Sequence, residues 1–202
     1  MKGISVLAAT ALVASYAGSA AWAQDTVRVR GEITKVEGTT LAVKARDGAN
    51  LTVKLAEPPR IAAMEKASLD DIKEGSFIGV SAMPQPDGTQ KAYAIHIFMD
   101  SQKGVVADRF GPWDSRPGST MTNAFVATTV AGKDGRELLV KYKDGEKRVN
   151  VPPDTIFAKY VPGSAADLKV GAKVFVAAAK KDADGSLTAP NIAVGRTIDP
   201  PQ

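Results

Sequence analysis

The chain has 202 residues, with 26 basic and 22 acidic side chains, one histidine and no cysteine. Without cysteine there are no disulfides, thiol nucleophiles or cysteine-based metal sites. The small positive excess is spread along the chain and makes no basic footprint for nucleic acid.

The first residues read as a secretory leader. Lys2 supplies the charge, Ile4 to Ala21 is apolar, and Ala21-Trp22-Ala23 is a small-x-small cleavage pattern. Its most apolar part, Ile4 to Ala14, is shorter than the roughly 18 to 20 residues a membrane span needs, so cleavage after Ala23 and release into the periplasm are expected.

Next come segments with the period of strands. Val27-x-Val29, Leu41-x-Val43-x-Ala45, Leu51-x-Val53-x-Leu55, Ile78-x-Val80-x-Ala82 and Tyr93-x-Ile95-x-Ile97 each put apolar residues on one face. Asp47-Gly48 and Asp87-Gly88 mark hairpin turns, because Gly adopts positive φ freely and Asp tolerates it. Ser68, followed by Asp70 and Asp71 and closed by Gly75, predicts one short helical turn with an N-cap and a glycine stop.

The pattern then returns at a shift of 96 or 97 residues. Leu41-x-Val43 falls on Leu138-x-Val140, Asp47-Gly48 on Asp144-Gly145, Ser68 to Gly75 on Ser164 to Gly171, and Asp87-Gly88 on Asp184-Gly185. The reading is all-β: two tandem small barrels resembling the oligonucleotide/oligosaccharide-binding (OB) fold, each of about five strands with one short helical turn. Another small closed or half-open barrel is the rival. The boundaries are a leader over 1–23, a first repeat over 24–100, an ordered Pro/Gly-rich connector over 101–122, and a second repeat over 123–202.

The pattern Gly31-x-Ile33, Leu41-x-Val43, Asp47-Gly48, Leu69-x-Asp71-Ile-Lys-x-Gly75, Val80 and Asp87-Gly88 resembles a bacterial domain of unknown function found in exported proteins, present here twice. The whole mature sequence, including Gly111 to Asn123 and Val140 to Lys147, is similar to a set of alphaproteobacterial secreted proteins. Some relatives carry the label "metal ABC transporter permease". That label conflicts with this sequence, since a permease needs several apolar spans and the sequence after the leader has none. The resemblance implies architecture and destination, and brings no catalytic residues.

Few residues could carry chemistry. His96 and Met99, with Met83 and Met64 as further thioethers, would suit Cu(I); the plainer reading is a partly exposed histidine on the outward side of its strand. No Gly-x-Ser-x-Gly elbow or Ser-x-x-Lys is present, so the chain is read as no enzyme. Asp182-Ala-Asp-Gly-Ser186 reads as a turn rather than a calcium loop, because the later ligands are missing. Lys141, Lys143, Lys147 and Arg148 alternate with apolar residues, as on a solvated strand face. In the connector, Trp113 beside Asp114 and Arg116 offers an aromatic platform with charged groups for a ligand or partner, or else a plug between the barrels. The resulting expectation is a non-catalytic periplasmic binding or interaction module. Its partner would be an envelope protein or a small ligand, with no nucleic acid and no cofactor. The alternative is a weak copper-handling protein using His96, Met99 and Met83.

Overall fold

A computed structural model describes residues 26–132 and 135–201; the expected leader lies outside them. In chain order the strands are β1 (Thr26–Glu37), β2 (Thr40–Ala45), β3 (Asn50–Lys66), β4 (Phe77–Pro84), β5 (Gln90–Ile97) and β6 (Arg109–Pro112). They continue with β7 (Thr120–Gly132), β8 (Gly135–Tyr142), β9 (Gly145–Val151), β10 (Ile156–Pro162), β11 (Lys173–Lys181) and β12 (Leu187–Gly195). Among the described residues the only helical pieces are three single 3₁₀ turns, at Leu69–Asp71, Asp100–Gln102 and Ala165–Asp167. The chain is therefore all-β, as its period-two patterning requires.

Local chemistry accounts for the hairpins and the caps. Gly48, Gly88 and Gly185 all have φ between +82° and +89°. In each turn the preceding Asp accepts the N–H two residues on: Ala49 to Asp47, Thr89 to Asp87 and Ser186 to Asp184, at 2.9 to 3.0 Å. The two matched helical turns are built alike, with Asp71 and Asp167 accepting the backbone N–H of Ser68 and Ser164 at 2.8 Å.

The strands close into two rings. One runs β1-β2-β3-β12-β11 and back to β1; the other runs β7-β8-β9-β5-β4 and back to β7. In both, a three-strand meander pairs through its third strand, in parallel, with the second strand of a hairpin, β3 with β12 and β9 with β5, the hairpin following the meander in the chain in the first ring and preceding it in the second. This is the strand order of an OB barrel.

The strands of each ring do not come from one stretch of sequence. The first ring takes β1–β3 from the N-terminal half and β11–β12 from the C-terminal half, while the second takes β7–β9 and β4–β5. The expected units over 24–100 and 123–202 therefore do not each close a ring of their own. The physical reason lies in β3, which is too long for one ring. Its Asn50–Lys54 part pairs with β2, its Val53–Leu55 and Arg60–Met64 parts with β12, and its Ala62–Lys66 end with β10. This carries the chain to the neighbouring ring, which it enters as β4. Strand β10 does the same from the other side, pairing with β3 and β5.

Each ring holds its own apolar interior. Ile33, Leu41, Val43, Val53, Val174, Val176 and Val194 fill the first, with Leu168 closing one end. Ile78, Val80, Ile95, Leu138, Val140 and Val149 fill the second, closed by Ile72. A third cluster, of Met64, Ala158, Phe175 and Ala193 with Trp113, Tyr160 and Ile198 packed on it, lies outside both interiors.

Candidate functional site

The connector is ordered because its backbone continues the sheet. β6 pairs with β7, and the loop between them closes where the Trp113 N–H donates to the Ser119 carbonyl at 2.8 Å. Trp113 is flanked by the guanidinium groups of Arg28 and Arg30, 4.7 and 5.0 Å from its ring centre, and meets Phe175 edge-on at 6.3 Å. Asp114 accepts two hydrogen bonds from Arg30, at 2.7 and 3.1 Å, and pairs with Arg28 at 3.0 Å. The Arg30 hydrogen bonds in particular hold the Asp114 carboxyl down at about 2. Arg30 itself is buried, its side chain 7% exposed.

The next two residues turn to the other ring. Ser115 hydrogen-bonds the Tyr93 hydroxyl at 2.6 Å, and the Arg116 guanidinium lies 3.9 Å from the centre of the Tyr93 ring. Tyr93 is available because the β4–β5 ladder steps from Ala94 to Ala92 and leaves it as a bulge. This departs from the core position expected from Tyr93-x-Ile95. The structure thus brings Trp113, Asp114 and Arg116 together as a clasp. Trp113 and Asp114 grip β1 and β11 of the first ring, and Arg116 grips β5 of the second. The Trp113 ring and the Asp114 carboxylate are already engaged by protein. The Trp113 indole Nε1 and Arg30 Nε are enclosed without a hydrogen-bond partner.

His96 is not the partly exposed side chain expected. It is 7% exposed, because β10 pairs alongside β5 with Ala158 opposite His96 and Tyr160 brings its ring 6.4 Å from the imidazole. Burial lowers the His96 pKa to about 4 and raises that of Tyr160 to about 12. Of the proposed thioether partners, Met83 lies away from it. Met83 faces Lys91 on β5, whereas His96 faces Gly79, four residues and roughly 13 Å away along β4. Met99 precedes the Asp100–Gln102 turn, where its backbone N–H is taken by Gln102. Among the described residues no three or more His, Asp or Glu side chains are grouped to hold a metal ion.

The basic residues of β8–β9 are partly engaged. Lys141 pairs in register with Glu146, Arg148 approaches Glu137 at 4.0 Å, and the Lys147 ammonium sits 4.6 Å from the Phe110 ring centre.

Two recesses open on the second ring. The smaller, about 210 Å³, lies between Asp87-Gly88-Thr89 and Leu139, Glu146, Lys147 and Arg148. In the first ring the matching turn is tied down by Lys54, which donates to Asp184 at 2.8 Å; in the second ring Asn150 stands at that register position and donates to Thr89 at 3.1 Å. The larger recess, about 450 Å³, is lined by Glu74, Gly75, Ser76, Phe77, Ile97, Phe98, Asp100 and Lys103. Its aromatic floor is braced: Phe98 stacks on Tyr160 at 5.3 Å, and Phe77 packs against Phe98 and Phe125 at 5.0 and 4.8 Å. At the matched end of the first ring Gly195 replaces Phe98, and a Cβ there would meet Ile198 and Asp199 within 3.2 Å, so the chain's own later residues cover that end. The difference Phe98/Gly195 is the sequence signal that could have found this recess. The Arg28 and Arg30 contacts to the connector leave no such trace.

The chain matches no family model, and comparison with curated proteins and with solved structures finds no match. No helix among the described residues is long and apolar enough to cross a membrane.

Proposed function

We propose that this chain is a non-catalytic binding module of the bacterial envelope, taking a small amphipathic ligand in the recess at the end of the second ring. The observation that carries this reading is the 450 Å³ recess itself. It falls within the roughly 300–1,000 Å³ of typical ligand sites, and Ile97 and Phe98 give it a small apolar floor among the polar groups of its rim. The rim carries Glu74, Asp100 and Lys103, with Lys103 and Asp100 paired at 2.6 Å. Two carboxylates against one ammonium favour a ligand with an apolar body and a cationic end. A catalytic reading has less support, since the single histidine is buried with no hydrogen bond to its ring nitrogens among the described residues.

The test is an NMR screen of the labelled protein against amino acids, dipeptides, alkylamines and monosaccharides. A cationic amphipathic probe is expected to shift the resonances of Phe77, Ile97 and Phe98, and Asp100→Arg should weaken its binding at least tenfold. If no probe moves those resonances, or if Asp100→Arg leaves the affinity unchanged, the reading fails.

A further inference from the structure

The strand pairings assign each half of this chain a partner surface. Within the N-terminal half, β1, β2 and β3 pair with one another and β4 pairs with β5; neither group closes. Within the C-terminal half, β7, β8 and β9 form a second meander and β11–β12 a second hairpin. All four ladders that close the rings run between the halves: β1–β11, β3–β12, β4–β7 and β5–β9. So do β3–β10 and β5–β10, which join one ring to the other. At the crossing, Met64 faces Tyr160 and Ala63 faces Val161. Each half alone would leave both faces of its meander and hairpin edges unpaired, and such edges seek a strand.

We propose that a second copy of this chain is a competent partner for those edges. The β1–β5 half of one copy completes its rings with the β6–β12 half of another, and reciprocally, giving a closed two-chain assembly with four rings. Every ladder and both interiors are then the same as in one chain, so the two forms differ only in the path of the connector and in concentration. The covalent link between the halves is the segment from Phe98 to Asp108, which gives the intramolecular arrangement an effective concentration on the order of millimolar. The single chain therefore dominates in dilute solution, and the exchanged form gains when chains refold at about 1 mM. Once formed it persists on dilution, because its return requires opening both rings.

The absence of cysteine makes the test direct. Lys91→Cys/Asn150→Cys places a pair across the β5–β9 ladder, and Glu32→Cys/Lys173→Cys places one across β1–β11 in the other ring. Each full-length variant is refolded from denaturant at about 10 μM and at about 1 mM, separated by size and oxidised. The monomer should carry an internal disulfide. The dimer should run at twice the chain mass on a non-reducing gel and fall to one chain on reduction. Unmodified protein refolded the same way, with light scattering for mass, covers the case in which a cysteine pair prevents folding. No dimer at the higher concentration, or a dimer whose disulfides are all internal, overturns the proposal.

Discussion

Replacing His96 with Leu should abolish a loss of stability that the native chain suffers between pH 7 and pH 5. The imidazole is buried at the seam of β5 and β10, and burial lowers its pKa from 6.5 to about 4. In the unfolded chain it takes up a proton as pH falls through 6.5, while in the folded chain it stays neutral until about 4. Acid therefore favours the unfolded state across that window, and stability declines as pH falls. The full penalty, reached below pH 4, is about 3 kcal/mol at 1.36 kcal/mol per unit; about 2 kcal/mol of it accrues between pH 7 and pH 5. The window is clean because this is the single histidine, and Asp114, held at about 2, loses its contribution only as pH falls from 3.8 through that value. Urea unfolding at pH 7 and pH 5 reads the effect. The native chain should lose about 2 kcal/mol and the Leu variant less than about 0.5. Equal losses in both would refute the assignment of the penalty to His96.

Trp113→Ala removes the ring between Arg28 and Arg30 and should lower stability by about 2 to 4 kcal/mol, visible as a reduced Tm. Asp114→Asn leaves the buried Arg30 without its carboxylate; because Asp114 is 48% exposed, about 1 to 2 kcal/mol is expected in urea unfolding rather than the larger value of a fully buried pair. A protease site inserted between Lys103 and Val106 should yield, on cleavage, two fragments that stay together and unfold in one transition, since each ring needs strands from both. Two separable folded fragments, or two transitions by calorimetry, would contradict the strand exchange.

Local sequence determined a great deal here. The alternation of Leu41, Val43, Val53, Val80, Leu138 and Val140 made them strand residues with one buried face. Asp47-Gly48, Asp87-Gly88 and Asp184-Gly185 set their hairpins through one repeated side-chain hydrogen bond, and Ser68/Asp71 and Ser164/Asp167 set the matched helical turns. These choices depend on residues within a few positions of one another, so they are written in the pattern. Only the tertiary structure decided which strands close which ring, because a β-ladder is made by backbone groups that are alike in every strand, and either hairpin offers either meander the same edge. That choice also decided the fates of the candidate residues. His96 occupies an outward strand position that β10 covers, Met83 lies on β4 beyond reach of it, and Trp113, Asp114 and Arg116 are held between rings that their neighbours in sequence do not form alone.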